Sequence, residues 1–141
     1  MRLALELNLP ADAALLAAAR RVLEVYLSEF ATPAQIVDDV ILAIDEACSN
    51  VLRHAFPAGR AGSYTLRADL RPDEVLIEVV DEGVGFDVMA KPARGVDGVP
   101  VVSGRGLQVM RRLMTTVEVE SPTGSGGTRL RLIRRLPATS G

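Results

Sequence analysis

Strict alternation of apolar and polar positions opens the chain. Leu3, Leu5, Leu7 and Leu9 sit on one face and Glu6 and Asn8 on the other, which predicts a half-buried strand over residues 2–9, stopped by Pro10. The period then changes. Leu15, Leu16, Ala19, Val22, Leu23 and Tyr26 recur at three- and four-residue spacings, predicting an amphipathic helix that Asp12 can N-cap and that runs to about Phe30. Arg20, Arg21 and Glu24 are left for solvent or a partner.

Thr32-Pro33-Ala34-Gln35 reads as a second helix start, with Thr32 at the N-cap, Pro33 at the first helical position and Gln35 closing a capping box. The helix is expected to reach about Ala55, before Pro57, with Val37, Val40, Ile41, Ile44, Cys48, Val51, Leu52 and Ala55 as its apolar stripe. After a turn-rich connection at residues 57–62, two strands are predicted at 63–70 and 74–80, joined through Arg71-Pro72-Asp73. Residues 86–102 carry Pro92, Gly95, Gly98 and Pro100 and no sustained period, as expected of a loop. A short helix after Gly104-Arg105-Gly106 should turn Leu107, Met110, Leu113 and Met114 inward. Two strands, 116–121 and 128–136, close the chain around a Gly-rich turn.

The order β-α-α-β-β-loop-α-β-β predicts an α+β fold: a two-layer sandwich whose mixed, mainly antiparallel sheet is covered on one face by helices. At 141 residues a single domain over 1–136 is expected, with 137–141 a disordered tail. A net charge of −2 argues against a nucleic-acid module. The one cysteine, Cys48, can form no internal disulfide and is expected to be a small buried apolar residue. No apolar run reaches membrane-spanning length and the first residues do not resemble a signal peptide, so the expectation is a cytoplasmic protein without membrane contact.

Four short patterns carry candidate chemistry. Glu46 and Asn50, four residues apart, share one helix face, which suits either a solvated polar face or a magnesium ligand (Asn50) beside a proton acceptor (Glu46). Asp45 points about 100° away and is the weaker candidate. Strand 74–80 delivers Asp81 to its end, and Gly83 and Gly85 then allow close approach to the backbone. Gly104-Arg105-Gly106-Leu107 stands where loop becomes helix, a place that favours phosphate. Thr128 follows Gly126-Gly127 and either offers a hydroxyl to a ligand or simply begins a strand.

Taken in order, E-x-x-x-N, D-x-G-x-G, G-x-G-L and G-G-T resemble the four boxes of the Bergerat-type (GHKL) ATPase superfamily. The local sequences IDEACSNVLRHAF and GRGLQVMRRLM, in so short a chain, are similar to the stand-alone anti-sigma-factor serine kinases of the RsbW/SpoIIAB type. That resemblance implies a Bergerat ATP-binding fold and ATP and Mg²⁺ as cofactors. It implies Asn50 as the Mg²⁺ ligand, Glu46 as general base and Asp81 as acceptor for the adenine amino group. Gly83 and Gly85 would pass close to the nucleotide. Gly104, Arg105, Gly106 and Leu107 would line the phosphates, Thr128 would support the adenine side, and residues 87–103 would form an ATP lid. His54 is expected to be structural. The implied partners are a STAS-domain anti-anti-sigma protein, phosphorylated on Ser or Thr, a sigma factor, and a second copy of the chain. A nucleotide-dependent switch module with little phosphoryl transfer is the alternative.

Overall fold

The structure is a computed structural model, which describes residues 3–30, 32–55, 62–81, 104–120 and 127–137. The loop expected at 86–102, Gly83 and Gly85, the 57–61 connection and residues 138–141 lie outside the described residues.

Eight elements follow the predicted order: β1 (Leu3–Pro10), α1 (Ala13–Glu29), α2 (Ala34–Asn50), β2 (Ser63–Leu70), β3 (Glu74–Asp81), α3 (Gly104–Leu113), β4 (Thr116–Glu120) and β5 (Thr128–Arg135). A π-helical turn over Val51–Ala55 extends α2 to its predicted end. The strands form one sheet in the order β1-β2-β3-β5-β4, and every pairing is antiparallel. The expectation of a mixed sheet thus resolves to a purely antiparallel one. Pro10 ends β1 inside the ladder, opposite Ser63, rather than stopping the strand before it; an edge strand tolerates proline there.

Cross-strand register builds the core row by row. Leu66, Val79 and Leu130 are aligned across β2, β3 and β5, as are Ala68, Ile77 and Leu132, and all six are buried against the helices. The opposite face carries charges that alternate across all five strands: Glu6, Arg67, Glu78, Arg131 and Glu118. Arg67 bridges Glu6 at 3.0 Å and Glu78 at 3.6 Å, so this face is ion-paired and half in water. Exposed pairs of this kind contribute at most about 1 kcal/mol each; burial on the helix side supplies most of the stability, about 1.5–3 kcal/mol per large side chain.

Two helix details differ from expectation. Thr32 does not cap α2. Pro33, still extended at ψ 138°, is the N-cap and has no side-chain oxygen to offer, so Gln35 falls at the second helical position and cannot close a capping box. Thr32 instead directs its N–H to Leu27 O, and its Oγ1 is buried without a hydrogen-bond partner among the described residues. In α1, Asp12 does cap, accepting from Ala14 N at 2.9 Å. Its buried residues, however, are Leu16, Ala19, Leu23 and Leu27, while Leu15 and Val22 are 37% and 45% exposed. The apolar arc of α1 is wider than the surface that covers it. In α3 and just beyond it, Leu107, Met110 and Met114 are buried as expected and Leu113 is half-buried.

Arg134 orients both inner helices. Its Nη1 donates to Asp39 Oδ2 near the start of α2 (2.7 Å) and to Leu113 O at the C-terminal end of α3 (2.6 Å). Asn50 lies eleven residues further along α2, ~16 Å at 1.5 Å per residue, and Gly104 lies nine residues back along α3. Both helices therefore send these ends toward the opposite end of the sheet, where β3 finishes and β5 begins.

Candidate functional site

At that end the helix-facing surface changes character. The last row across the sheet is Leu9, Tyr64, Asp81 and Thr128, in place of the aliphatic rows behind it. Asp81 is 2% exposed and Thr128 5%, and they stand directly opposite each other on β3 and β5. A carboxylate in an apolar sheet face is costly to bury without polar partners. Asp81 is the last residue of β3, at the end of the sheet rather than in its middle.

Asn50 comes to the same end from the helix layer and is 2% exposed. The solvated-face alternative therefore fails for Asn50. Its Oδ1 accepts from Arg53 Nη2 at 3.3 Å, while its Nδ2 is buried with no hydrogen-bond partner among the described residues. A buried amide with an idle donor ordinarily costs ~1–3 kcal/mol, so such a group is a candidate for ligand contact. The π-helical turn that follows widens the helix just where Arg53 reaches back, and such turns are frequent at functional sites.

Glu46, one turn earlier, is partly exposed, and among the described residues no hydrogen bond or ion pair holds its side chain. Asp45 is instead drawn toward α1, 3.7 Å from Arg20. The two neighbouring acids thus differ: Asp45 is tied into the helix pair, and Glu46 is engaged by none of the described residues. Gly106 and Leu107 are buried in the first turn of α3, whose positive dipole end is turned to this end of the sheet. The Arg105 and His54 side chains, with Gly83 and Gly85, lie outside what the structure describes.

Tyr64 was not singled out in the sequence. It is buried in the same row as Asp81, against Cys48 of α2, and its hydroxyl has no partner of good hydrogen-bond geometry. Burial pushes the Cys48 thiol up to about 12 and raises the Tyr64 hydroxyl well above its usual range, so both stay neutral and neither is poised as a nucleophile. Alternation in β2 places Tyr64 on the helix side; only the register reveals that it stands beside Asp81.

Among the described residues no cluster of three or more His, Cys, Asp or Glu could hold a metal by itself. Mg²⁺ seldom needs one when it arrives on phosphates, since one or two protein oxygens suffice. A single amide oxygen at Asn50 fits that pattern.

Residues 9–134 match the Histidine kinase-like ATPase domain family, and the chain belongs to it. It is similar to an anti-sigma F factor of Clostridium acetobutylicum, 33% identical over 104 residues, covering 72% of each chain. It is also similar to the serine-protein kinase RsbW of Bacillus licheniformis, 32% identical over 96 residues that cover 62% of this chain and 59% of that one. With RsbW of Bacillus subtilis the identity is 28% over 128 residues, covering 85% of this chain and 79% of that one. In fold it resembles the crystal structure of the RsbU and RsbW domains of Rv1364c from Mycobacterium tuberculosis, with a TM-score of 0.71 at 22% identity. The match covers 99% of this chain and 34% of that longer one.

Proposed function

We propose that this chain is an ATP-dependent protein serine/threonine kinase that acts as an anti-sigma factor, phosphorylating a small STAS-type antagonist and sequestering a sigma factor. The observation that carries the proposal is the convergence of buried Asp81, Thr128 and Asn50 at one end of a histidine kinase-like ATPase domain. The names of the relatives, anti-sigma F factor and serine-protein kinase RsbW, support the same assignment.

In this proposal the Asp81 carboxylate accepts from the adenine amino group, with Thr128 beside it, and the first turn of α3 receives the phosphates by its backbone. Asn50 Oδ1 would hold Mg²⁺, exchanging its Arg53 contact for the ion. The ion's contribution is to neutralise charge on the transferring phosphoryl group. Glu46, which no other side chain among the described residues engages, would take the proton from the acceptor hydroxyl. Among the described residues no helix is long and apolar enough to cross a membrane.

The alternative is a nucleotide-dependent partner switch, in keeping with Glu46 having no orienting group among the described residues. Labelled ATP, the protein and STAS-type proteins of the same organism, incubated together, separate the two. Phosphate on a partner Ser or Thr supports the kinase; ATP-dependent binding without transfer supports the switch.

A further inference from the structure

We propose that the Tyr64 hydroxyl is a second reader of the adenine base, donating a hydrogen bond to the ring nitrogen beside the amino group that Asp81 accepts. The inference rests on the reading of Asp81 as the adenine acceptor. Tyr64 is the second residue of β2 and the direct register partner of Asp81, so both side chains leave the sheet on the helix side. Only 2% of Tyr64 is exposed. Its hydroxyl nevertheless has no hydrogen-bond partner among the described residues.

Phenylalanine would fill this place without burying a polar atom, and a hydroxyl that is buried but makes no hydrogen bond gives up its water without return. The side chain is long enough to pass the short carboxylate of Asp81 and reach the helix layer, where it meets Cys48 of α2. A thiol sulfur is only a weak acceptor, so Cys48 leaves the O–H available. Burial raises the hydroxyl well above its usual range, and it keeps its proton as a donor. Asn50, whose Nδ2 is likewise buried without a partner among the described residues, follows two residues later, ~3 Å along α2. The orphaned hydroxyl therefore belongs to the same end of the fold as Asn50, Asp81 and Thr128.

The chemistry of the base fits this pairing. In adenine the exocyclic amino group donates, and the ring nitrogens next to it, N1 on one edge and N7 on the other, both accept. Whichever edge meets Asp81, the neighbouring ring nitrogen calls for a donor, which an ionised carboxylate cannot supply. Thr128, on the other flank of Asp81, already has an interaction partner, whereas the Tyr64 hydroxyl has none among the described residues. Guanine shows the reverse order on its N1 edge, a carbonyl and then an N–H, and would oppose both groups. An acceptor beside a donor thus discriminates further than the acid alone.

Calorimetric titration of the full chain and of Tyr64→Phe tests this by binding, without reference to catalysis. The variant should melt at the wild-type temperature or slightly above it, because the hydroxyl it removes is unpartnered among the described residues. It should nevertheless bind ATP ~10-fold more weakly. The wild type should bind either 1-deaza-ATP or 7-deaza-ATP, in which C–H replaces one ring nitrogen, ~10-fold more weakly than ATP. Tyr64→Phe should bind that analogue and ATP alike. Unchanged ATP affinity in Tyr64→Phe, with ATP still preferred to GTP, overturns this inference and leaves the Asp81 reading standing. A loss that is equal for ATP and both analogues also overturns it, since the tyrosine would then only shape the site. Equal affinities of the wild type for ATP and GTP remove the Asp81 reading and this inference with it.

Discussion

Asp81 and Thr128 face each other across β3 and β5 in the last row of a sheet face whose next two rows, Leu66–Val79–Leu130 and Ala68–Ile77–Leu132, are aliphatic. The pairing joins residues 47 positions apart and depends on β3 and β5 being neighbours although α3 and β4 lie between them in sequence. Asn50, also buried, comes to this end of the fold from the helix layer.

If Asp81 reads the adenine amino group, ATP should be preferred strongly over GTP, whose carbonyl would meet the carboxylate. Asp81→Asn keeps the shape of the side chain and should weaken ATP binding by about 1.5–3 kcal/mol, the worth of a hydrogen bond to a charged group. Calorimetry giving equal affinities for ATP and GTP in the wild type would remove this role.

Asn50→Ala should weaken ATP binding more in Mg²⁺ than in EDTA. Its effect on stability should be small, under about 1 kcal/mol, because the buried Nδ2 already lacks a partner and its removal relieves an unsatisfied donor. Melting curves together with titrations in the two buffers check both halves. A large melting-temperature loss with no change in Mg²⁺ dependence would make Asn50 structural.

Glu46→Gln should leave folding and nucleotide binding nearly unchanged, since no partner among the described residues depends on it and surface changes usually stay within about 0.5 kcal/mol. Phosphoryl transfer should fall by roughly 100-fold or more. Transfer at the wild-type rate would rule out Glu46 as the base.

Burial raises the Cys48 thiol from 9.0 to about 12. Between those values the unfolded chain gives up this proton and the folded chain keeps it, so the folded state binds more protons and stability falls as pH rises. Tyr64 acts in the same direction at higher pH. Melting temperature should therefore decline from about pH 9 upward, and Cys48→Ala should flatten the first part of that decline. A thiol reagent at pH 8 should leave native protein unmodified and react after denaturation; rapid labelling of the native chain would contradict the buried placement.

Local chemistry made much of this legible in the residues alone. Alternation in β1, the β-branched run of β3 and the 3.6 period of α1 and α2 predicted the type and order of the elements, and the ends of the five strands to within one position. The candidates Glu46, Asn50, Asp81 and Thr128 stood out because acids, amides and glycines punctuated those patterns. What depends on neighbours distant in the chain was not legible. The cap of α2 shifted by one residue for a local reason: the Thr32 N–H is directed to Leu27 O and Pro33 is extended. Leu15 and Val22 match the apolar period of α1 as well as Leu23 does, yet only the packing of α2 and the sheet decides which side of a wide arc is covered. Asn50 shares a helix face with the partly exposed Glu46 by periodicity, but the approach of the sheet end buries one and spares the other. Tyr64 beside Asp81 and the opposition of Asp81 to Thr128 follow from strand order. A period of two states which side of a strand each residue takes; which residue it meets there is decided by the neighbouring strand, and that choice belongs to the whole sheet.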